Sequence, residues 1–355
     1  MEKCRISFPR WGSYNIPLEF LFTQGLEVEY VTPPPITKKT LELGSRHSPD
    51  YVCSPFKFNI GSYIEAIEVG ANTLVQIGGT CRLGYYGELQ EQIIKDLGYE
   101  VNFVNMARAK VTKPTTFYNE FKKVNPNLSL KKVSIALLTM LKMVELIDEI
   151  EDFIRQNVGF EIIDGQMDKL HKDFLEDLRT VKTKKELKEI AHVYKKKFKK
   201  VKIKKPKKLI KVGVVGEYYT IMEPFSNHYI EKELAKKGIV VHRWMNVSNS
   251  VLHNTGKKQK EYIRGYAKYF MGATSMATIY KALEFAKDKF DGIVHIKSFG
   301  CTPEIDAMPV LQKISNDYKI PILYFSFDSQ TSETGIQTRL EAFYDMIMMR
   351  KESKK

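Results

Sequence analysis

The order of the apolar segments is the feature that most constrains the fold of this chain of 355 residues. Short β-branched and aromatic runs alternate with amphipathic stretches over about the first hundred residues, and the alternation returns from Leu209 onward. Between Pro114 and Lys205 the strand-like runs disappear, and apolar residues recur at intervals of three and four. Alternating strands and helices are typical of a parallel sheet covered by helices. The sequence therefore predicts two doubly wound α/β domains joined by a helical segment.

The predicted domains are 1–113, a first α/β domain; 114–208, a helical insertion with a lysine-rich end; and 209–355, a second α/β domain. Strands are expected at 6–8, 28–31, 73–77, 101–104, 209–215, 239–242, 292–296 and 322–325. Helices are expected at 16–24, 56–69, 88–97, 130–154, 167–178, 187–198, 225–236, 261–270, 275–287, 304–318 and 336–348. The amphipathic middle helices are interpreted as a packing and dimerisation element, so a homodimer is expected.

Composition excludes several classes of protein. With 43% hydrophobic and 28% charged residues the chain is not a disordered one. The best candidate for a membrane span, 133–150, is interrupted by Lys142, Glu145, Asp148 and Glu149. The first residues hold no apolar leader segment, so we expect a cytoplasmic protein without a membrane segment.

The basic charge is concentrated in one place. Ten lysines lie between Lys195 and Lys208, and without them the formal net charge falls from +14 to +4. A run of this kind is more often a solvated helix end or linker than a nucleic-acid site. Nucleic acid is therefore not expected to be the partner, although an acidic partner or nucleic acid remains the minority interpretation.

Three of the four cysteines occupy equivalent positions in the predicted pattern. Cys53, Cys81 and Cys301 each lie in a loop that leads into a predicted helix, where free backbone N–H groups stabilise thiolates. Three converging thiolates suggest a soft-metal or iron–sulfur site. Two alternatives stay open on these residues alone: cysteines buried as small apolar side chains, and a zinc site completed by His47 or His295.

The residues around these cysteines resemble a known family. The similarity lies in FPRWGSY at 8–14 and SFGCTPEIDAMPVLQKI at 298–314, and in the segments 33–44, 48–93, 215–234 and 320–343. These runs resemble the 2-hydroxyacyl-CoA dehydratase superfamily, most closely its activase-associated "CoA protein activase" branch, which is related to the double-cubane-cluster reductases. The run from Gly300 to Glu304 onward is the most specific part.

The resemblance implies a fold, a cofactor and a partner. It implies two flavodoxin-like domains whose cysteines, here Cys53, Cys81 and Cys301, hold a 4Fe–4S cluster in an interdomain cleft. A double-cubane or larger cluster would need further ligands, such as Cys4 or a second subunit. The implied partner is a separate ATP-hydrolysing iron–sulfur activator that delivers low-potential electrons. The chain itself has no G-x-x-x-x-G-K-[ST] phosphate loop.

The resulting hypothesis is an oxygen-sensitive iron–sulfur reductase or dehydratase component, typical of anaerobic metabolism, that acts on a small substrate. Glu217 and Tyr218 follow a predicted strand, so they are the candidate catalytic residues that would relay a proton. The alternative is a non-enzymatic cluster carrier or scaffold for such a system. A zinc-binding or nucleic-acid-associated protein is the third and weaker alternative.

Overall fold

A computed structural model describes residues 3–76, 81, 83–106, 114–253 and 256–353. The chain divides into two compact units, which are described separately. Unit 1 comprises Met1–Leu146 and Lys172–Tyr194, and unit 2 comprises Ile147–His171 and Lys195–Lys355. Among the described residues, no helix combines the length and the apolar character that crossing a membrane would require.

Unit 1 is built on a parallel four-stranded sheet. Its strands are β1 (Arg5–Ser7), β2 (Glu29–Tyr30), β3 (Thr73–Gln76) and β4 (Asn102–Asn105), in the order β2-β1-β3-β4. The helices of the first hundred residues and the one that follows are α1 (Asn15–Phe20), α2 (Lys38–Arg46), α3 (Ser54–Glu68), α4 (Leu83–Asp96) and α5 (Pro114–Val124). Ile6, Leu74 and Val75 of the central strands are buried, because helices cover both faces of the sheet.

The helical middle of the chain carries α6 (Leu130–Asn157), α7 (Gln166–Thr180) and α8 (Lys184–Lys200). The apolar spacing of the sequence predicted these three helices to within about three residues at each end. Their buried residues recur at helical intervals, as Met143, Ile147 and Ile150 do along α6.

Unit 2 repeats the sheet order of unit 1. Its strands are β5 (Ile210–Gly216), β6 (Ile239–Arg243), β7 (Gly292–Ser298) and β8 (Ile322–Phe327), all parallel in the order β6-β5-β7-β8. The helices are α9 (Tyr218–Met222), α10 (Ile230–Lys236), α11 (Gly256–Tyr262), α12 (Ser275–Lys287), α13 (Thr302–Tyr318) and α14 (Glu333–Glu352).

Both sheets therefore have the strand order that is typical of flavodoxin-like folds, in which the first strand lies between the second and the third. The expected α/β class with two doubly wound parallel sheets is confirmed. The order in which strands are added reverses between β1 and β3 in unit 1, and between β5 and β7 in unit 2, although all strands run parallel. Ligands bind at the carboxyl ends of the strands at such switch points. A ligand site is therefore expected at the loops after β3, β5 and β7.

The structure differs from the sequence prediction in several helices. The expected helix 261–270 is wrong, because α11 ends at Tyr262 and a turn follows it up to Tyr266. The helix expected from 225 begins only at Ile230, after His228 and Tyr229 have adopted left-handed conformations with φ of 52° and 56°. Helices α2 and α5 had no counterpart in the prediction. The last residue of the predicted strand 73–77 lies outside the described residues.

Candidate functional site

The structure places all three candidate cysteines at the start of a helix. Cys53 is the N-cap residue of α3, and Cys301 is the N-cap residue of α13. Cys81 lies just before α4, and its carbonyl oxygen accepts a hydrogen bond of 3.0 Å from the Gly84 N–H. All three residues are partly buried. The first N–H groups of a helix have no partner within the helix, so each thiol lies where an anionic sulfur is stabilised.

The surroundings of Cys53 are largely aromatic. Its Sγ lies 3.6 Å from the Tyr86 hydroxyl of α4. The Tyr86 ring meets the Phe56 ring edge-on, with 4.7 Å between the centroids. Phe56 is fully buried, and Cys53 packs against the hydrophobic core that contains both rings. Tyr86 can donate a hydrogen bond to a thiolate or to a sulfur-bound metal centre without adding a charge.

The surroundings of Cys301 are ionisable. Glu304 is the third residue of α13 and is fully buried, as is His295 of β7. The Glu304 carboxylate lies 2.8 Å from His295 Nε2, and its other oxygen accepts a hydrogen bond of 3.1 Å from the Thr278 hydroxyl of α12. Burying a carboxylate is costly unless it is hydrogen-bonded, and these two partners meet that need.

Lys297 adds a buried cation near the same cysteine. Its side chain is 4% exposed and its ammonium group donates to the Phe299 carbonyl at 3.4 Å. Burial lowers the pKa of Lys297, while the neighbouring Cys301 and Glu304 act in the opposite direction. The electrostatic interaction with Cys301 means that a positive charge on Lys297 favours an anionic sulfur.

Glu217 lies at the same edge of the unit 2 sheet, directly after β5. Gly216 precedes it with φ of +144°, and a Cβ atom there would come within 1.7 Å of the Ile296 carbonyl oxygen, so only glycine fits. The Glu217 carboxylate caps α9 by accepting hydrogen bonds from the Tyr219 and Thr220 N–H groups, at 2.9 and 2.8 Å. Burial raises the pKa of Glu217, and the nearby Glu304 adds to this.

Tyr218 is the first residue of α9 and is partly exposed. The structure thus gives Glu217 a clear local role in capping a helix, while Tyr218 keeps a more accessible side chain. Their catalytic assignment stays a prediction. Within unit 2, Glu217 follows β5 and Cys301 follows β7, so both belong to the switch point of that sheet.

Sequence reasoning missed the roles of Glu304, Lys297 and Thr278. The signal was present in β7, where His295 and Lys297 interrupt an otherwise apolar run. A polar side chain in the middle of a buried strand must find a partner. The sequence allows His295 to be either a zinc ligand or a packed strand residue, and the structure pairs its Nε2 with Glu304.

Cys4, which directly precedes β1, does not lie at the start of a helix. Cys4 donates a weak hydrogen bond to Thr73 Oγ1 at 3.5 Å and packs against the unit 1 core, and burial raises its pKa. This is the environment of a structural cysteine. Across the described ranges, no three side chains of histidine, cysteine, aspartate or glutamate are grouped closely enough to hold a metal ion.

The chemistry of Cys53, Cys81 and Cys301 nevertheless suits an iron–sulfur cluster. Thiolates are its normal ligands, and hydrogen bonds to the cluster sulfurs tune its reduction potential. The Tyr86 hydroxyl and the Lys297 ammonium group add a neutral and a cationic group beside two of the three thiols.

Comparison with known families agrees with this chemistry. Residues 171–347 match the family described as 2-hydroxyglutaryl-CoA dehydratase, D-component. The chain belongs to the 2-hydroxyacyl-CoA dehydratase superfamily and is a dehydratase-like component of such a system. The matched segment contains Glu217, His295, Cys301 and Glu304, whereas Cys53 and Cys81 precede it. No curated protein matches the chain.

Proposed function

We propose that the protein is an iron–sulfur reductase or dehydratase component that receives low-potential electrons from a separate ATP-hydrolysing activator and uses them to reduce a small substrate. Cys53, Cys81 and Cys301 are the proposed ligands of its cluster, a 4Fe–4S cluster or a larger one. The observation that carries the proposal is the shared placement of the three thiols at helix starts, with Cys301 inside the segment that matches the D-component family.

A cluster with three protein ligands would supply one-electron chemistry and one iron open to substrate. The residues of this chain would support that chemistry in separate ways. Lys297 would balance negative charge at Cys301, and Tyr86 would donate a hydrogen bond toward Cys53. Glu217 has a raised pKa, so it could hold a proton closer to neutral pH than an ordinary glutamate. Tyr218 is its more accessible neighbour.

The first test is the iron and acid-labile sulfide content of the protein purified without oxygen, together with its absorption spectrum. We expect about four irons per chain for a single cubane, and replacement of any one of Cys53, Cys81 or Cys301 by Ala should abolish or change the cluster. Cys4→Ala is the matched control and should leave the iron content unchanged, since Cys4 has a packing role. Iron content that stays the same in all three variants would contradict the assignment.

The second test separates an enzyme from a cluster carrier. The cluster-loaded protein is mixed with an ATP-hydrolysing activator of this family, and its reduction is followed by the loss of visible absorption. Reduction that requires ATP and returns to the oxidised state when an acyl-CoA or other small substrate is added supports the reductase. Transfer of iron and sulfide to a second apoprotein without electron transfer would instead support the carrier. The predicted homodimer can be checked on the same sample by light scattering.

A further inference from the structure

Unit 2 contains a groove of about 990 Å³ at the edge of the sheet opposite Cys301. It lies beside the beginnings of three strands, at Ile210, the first residue of β5, at Asp291 before β7 and at Pro321 before β8. The seven residues of β7 lie between this edge and the loop of Cys301, which amounts to roughly 20 Å. The groove is therefore separate from the proposed cluster site, and its volume is in the range of small-molecule sites.

The groove is strongly cationic. Six basic side chains line it against two carboxylates, and the basic residues are Lys208, Lys237, Lys289, Lys319, Arg350 and Lys351. One of the carboxylates, Asp291, is already neutralised, because Lys351 lies 2.8 Å from it and the Lys211 N–H also donates to it. Lys237 pairs with Glu341 at 3.7 Å, and Lys319 interacts electrostatically with Asp317. In the part of the chain that the structure describes, no carboxylate forms an ion pair with Lys208 or Lys289.

Three helices end at this groove, and each is followed by a residue in the left-handed conformation. The type of residue at this position differs between them. Helix α10 is followed by Gly238 with φ of +70°, the residue that adopts this conformation at the lowest cost. Helices α12 and α13 are followed instead by Lys289 and Lys319, with φ of +56° and +54°. A lysine in the left-handed region is strained where glycine is not. Two of three equivalent positions thus keep an unfavourable residue whose side chain lines the groove.

The groove also has apolar and aromatic walls. Phe290, Tyr344, Ile347 and Met348 contribute to its lining. The lysine-rich run of the sequence reaches its rim, since Pro206 and Lys208 line it and the Lys205 ammonium lies 5.4 Å from the centre of the Phe160 ring. Cationic groups combined with ring faces suit a ligand that carries both phosphate groups and a planar ring.

We propose that this groove binds a phosphate-bearing anion of nucleotide size, with Lys289 and Lys319 contacting the phosphate groups and the Tyr344 side of the groove contacting the ring. The proposal does not depend on the presence of a cluster. It explains why lysine occupies two left-handed positions and why basic side chains outnumber carboxylates at the edge of the sheet that the dehydratase chemistry would not use.

The test measures binding of a fluorescent N-methylanthraniloyl derivative of ADP to the full chain by anisotropy at low salt. We expect saturable binding in the wild type, weakened on the order of tenfold by loss of each lysine. The decisive variant is Lys289→Gly with Lys319→Gly. It should weaken binding on the order of a hundredfold while leaving the melting temperature equal to or above that of the wild type, because the substitutions relieve the left-handed strain.

Two double variants remove the same charge, one inside the groove and one outside it. Lys289→Gln with Lys319→Gln should weaken binding, whereas Lys257→Gln with Lys258→Gln, two exposed lysines of α11 outside the groove, should not. No saturable binding in the wild type, or equal weakening in both pairs, would overturn the proposal. A lower melting temperature of the glycine variant with unchanged binding would assign the lysines to helix termination alone.

Competition experiments identify the ligand chemistry. Displacement by ADP at lower concentration than by pyrophosphate is expected, because only ADP offers a ring to the aromatic wall. Equal displacement by the two would overturn the ring contact. Displacement by a single-stranded oligonucleotide at lower concentration than ADP would overturn the small-molecule assignment in favour of a nucleic-acid site.

Discussion

Helices α3 and α13 begin in the same way but lead into different chemistry. In each helix a cysteine in an extended conformation caps the N-terminus, and proline is the second helical residue, at Pro55 and Pro303. The third helical residue is fully buried in both cases. It is Phe56 in α3 and Glu304 in α13. Both helices thus place a thiol at the N-cap position in the same way, while the buried third residue differs completely.

The difference shows that the same helix start can be stabilised either by apolar burial or by buried hydrogen bonds. Phe56 supports the start of α3 through apolar burial and its contact with Tyr86. Glu304 supports the start of α13 through hydrogen bonds with His295 and Thr278. Stabilisation by a buried apolar side chain does not change with pH, whereas stabilisation by a buried carboxylate depends on every titrating group near it. The two cysteines are therefore expected to respond differently to mutation and to pH.

The largest effect is expected from Phe56→Ala. Removing a fully buried ring leaves a cavity beside Tyr86, which should lower the free energy of unfolding by about 4 kcal/mol. Urea denaturation followed by circular dichroism measures this. Tyr51→Ala is the control, because Tyr51 lies two residues before Cys53 but is 91% exposed, and its loss should change little. Similar losses in both variants would mean that α3 is not supported by apolar burial.

Glu304→Leu should have the next largest effect. The leucine leaves His295 and Thr278 buried without their partner, which should lower the free energy of unfolding by roughly 3 kcal/mol. Glu304→Gln keeps a polar group at the same place and should cost only about 1 kcal/mol. Equal stability of the two variants would show that hydrogen bonding does not support α13, and the contrast with α3 would disappear.

The contrast between these helices shows which features could be predicted from the sequence and which could not. β-branched runs such as 292–296 predicted the strands, and the cysteines were correctly expected before helices, because both signals are local. The pairing of His295 with Glu304 joins a strand to a helix and Thr278 to both, and no local pattern encodes such a contact. Helix α2 was missed because its sequence, KKTLELGSR, is mostly polar, and its start depends on a capping box between Thr37 and Thr40.

The pH dependence of stability sharpens the comparison further. Burial and Glu304 raise the pKa of Glu217 above 4.5, so its contribution to stability is complete below pH 4.5 and is lost as the pH rises through the raised value. Glutamine does not ionise, so Glu217→Gln does not lose this stability as the pH rises. The difference in melting temperature between the variant and the wild type should therefore increase between pH 4.5 and 7, as measured by differential scanning fluorimetry.

Glu151 provides the control of opposite sign in the same unit. Burial alone would raise its pKa, but His171, Arg155 and Arg243 outweigh burial and lower it to about 2. Its contribution is present above pH 4.5 and is lost as the pH falls toward 2, so Glu151→Gln should be most destabilised, relative to wild type, above pH 4.5. If Glu217→Gln followed that same profile, the raised pKa of Glu217 would be wrong.

The smallest effect is expected at the hydroxyl of Tyr86. Tyr86→Phe keeps the ring contact with Phe56 and removes only the group that lies 3.6 Å from Cys53 Sγ. Stability should change by less than about 1 kcal/mol, while alkylation of Cys53 by iodoacetamide in chelator-treated protein should slow a few-fold, because the thiolate loses a hydrogen-bond donor. Mass spectrometry of the separate peptides follows Cys53 and Cys301 in one sample. The rate at Cys301, whose electrostatic partner is Lys297, is expected to stay unchanged, and a parallel slowing of both thiols would contradict a local effect of Tyr86 on Cys53.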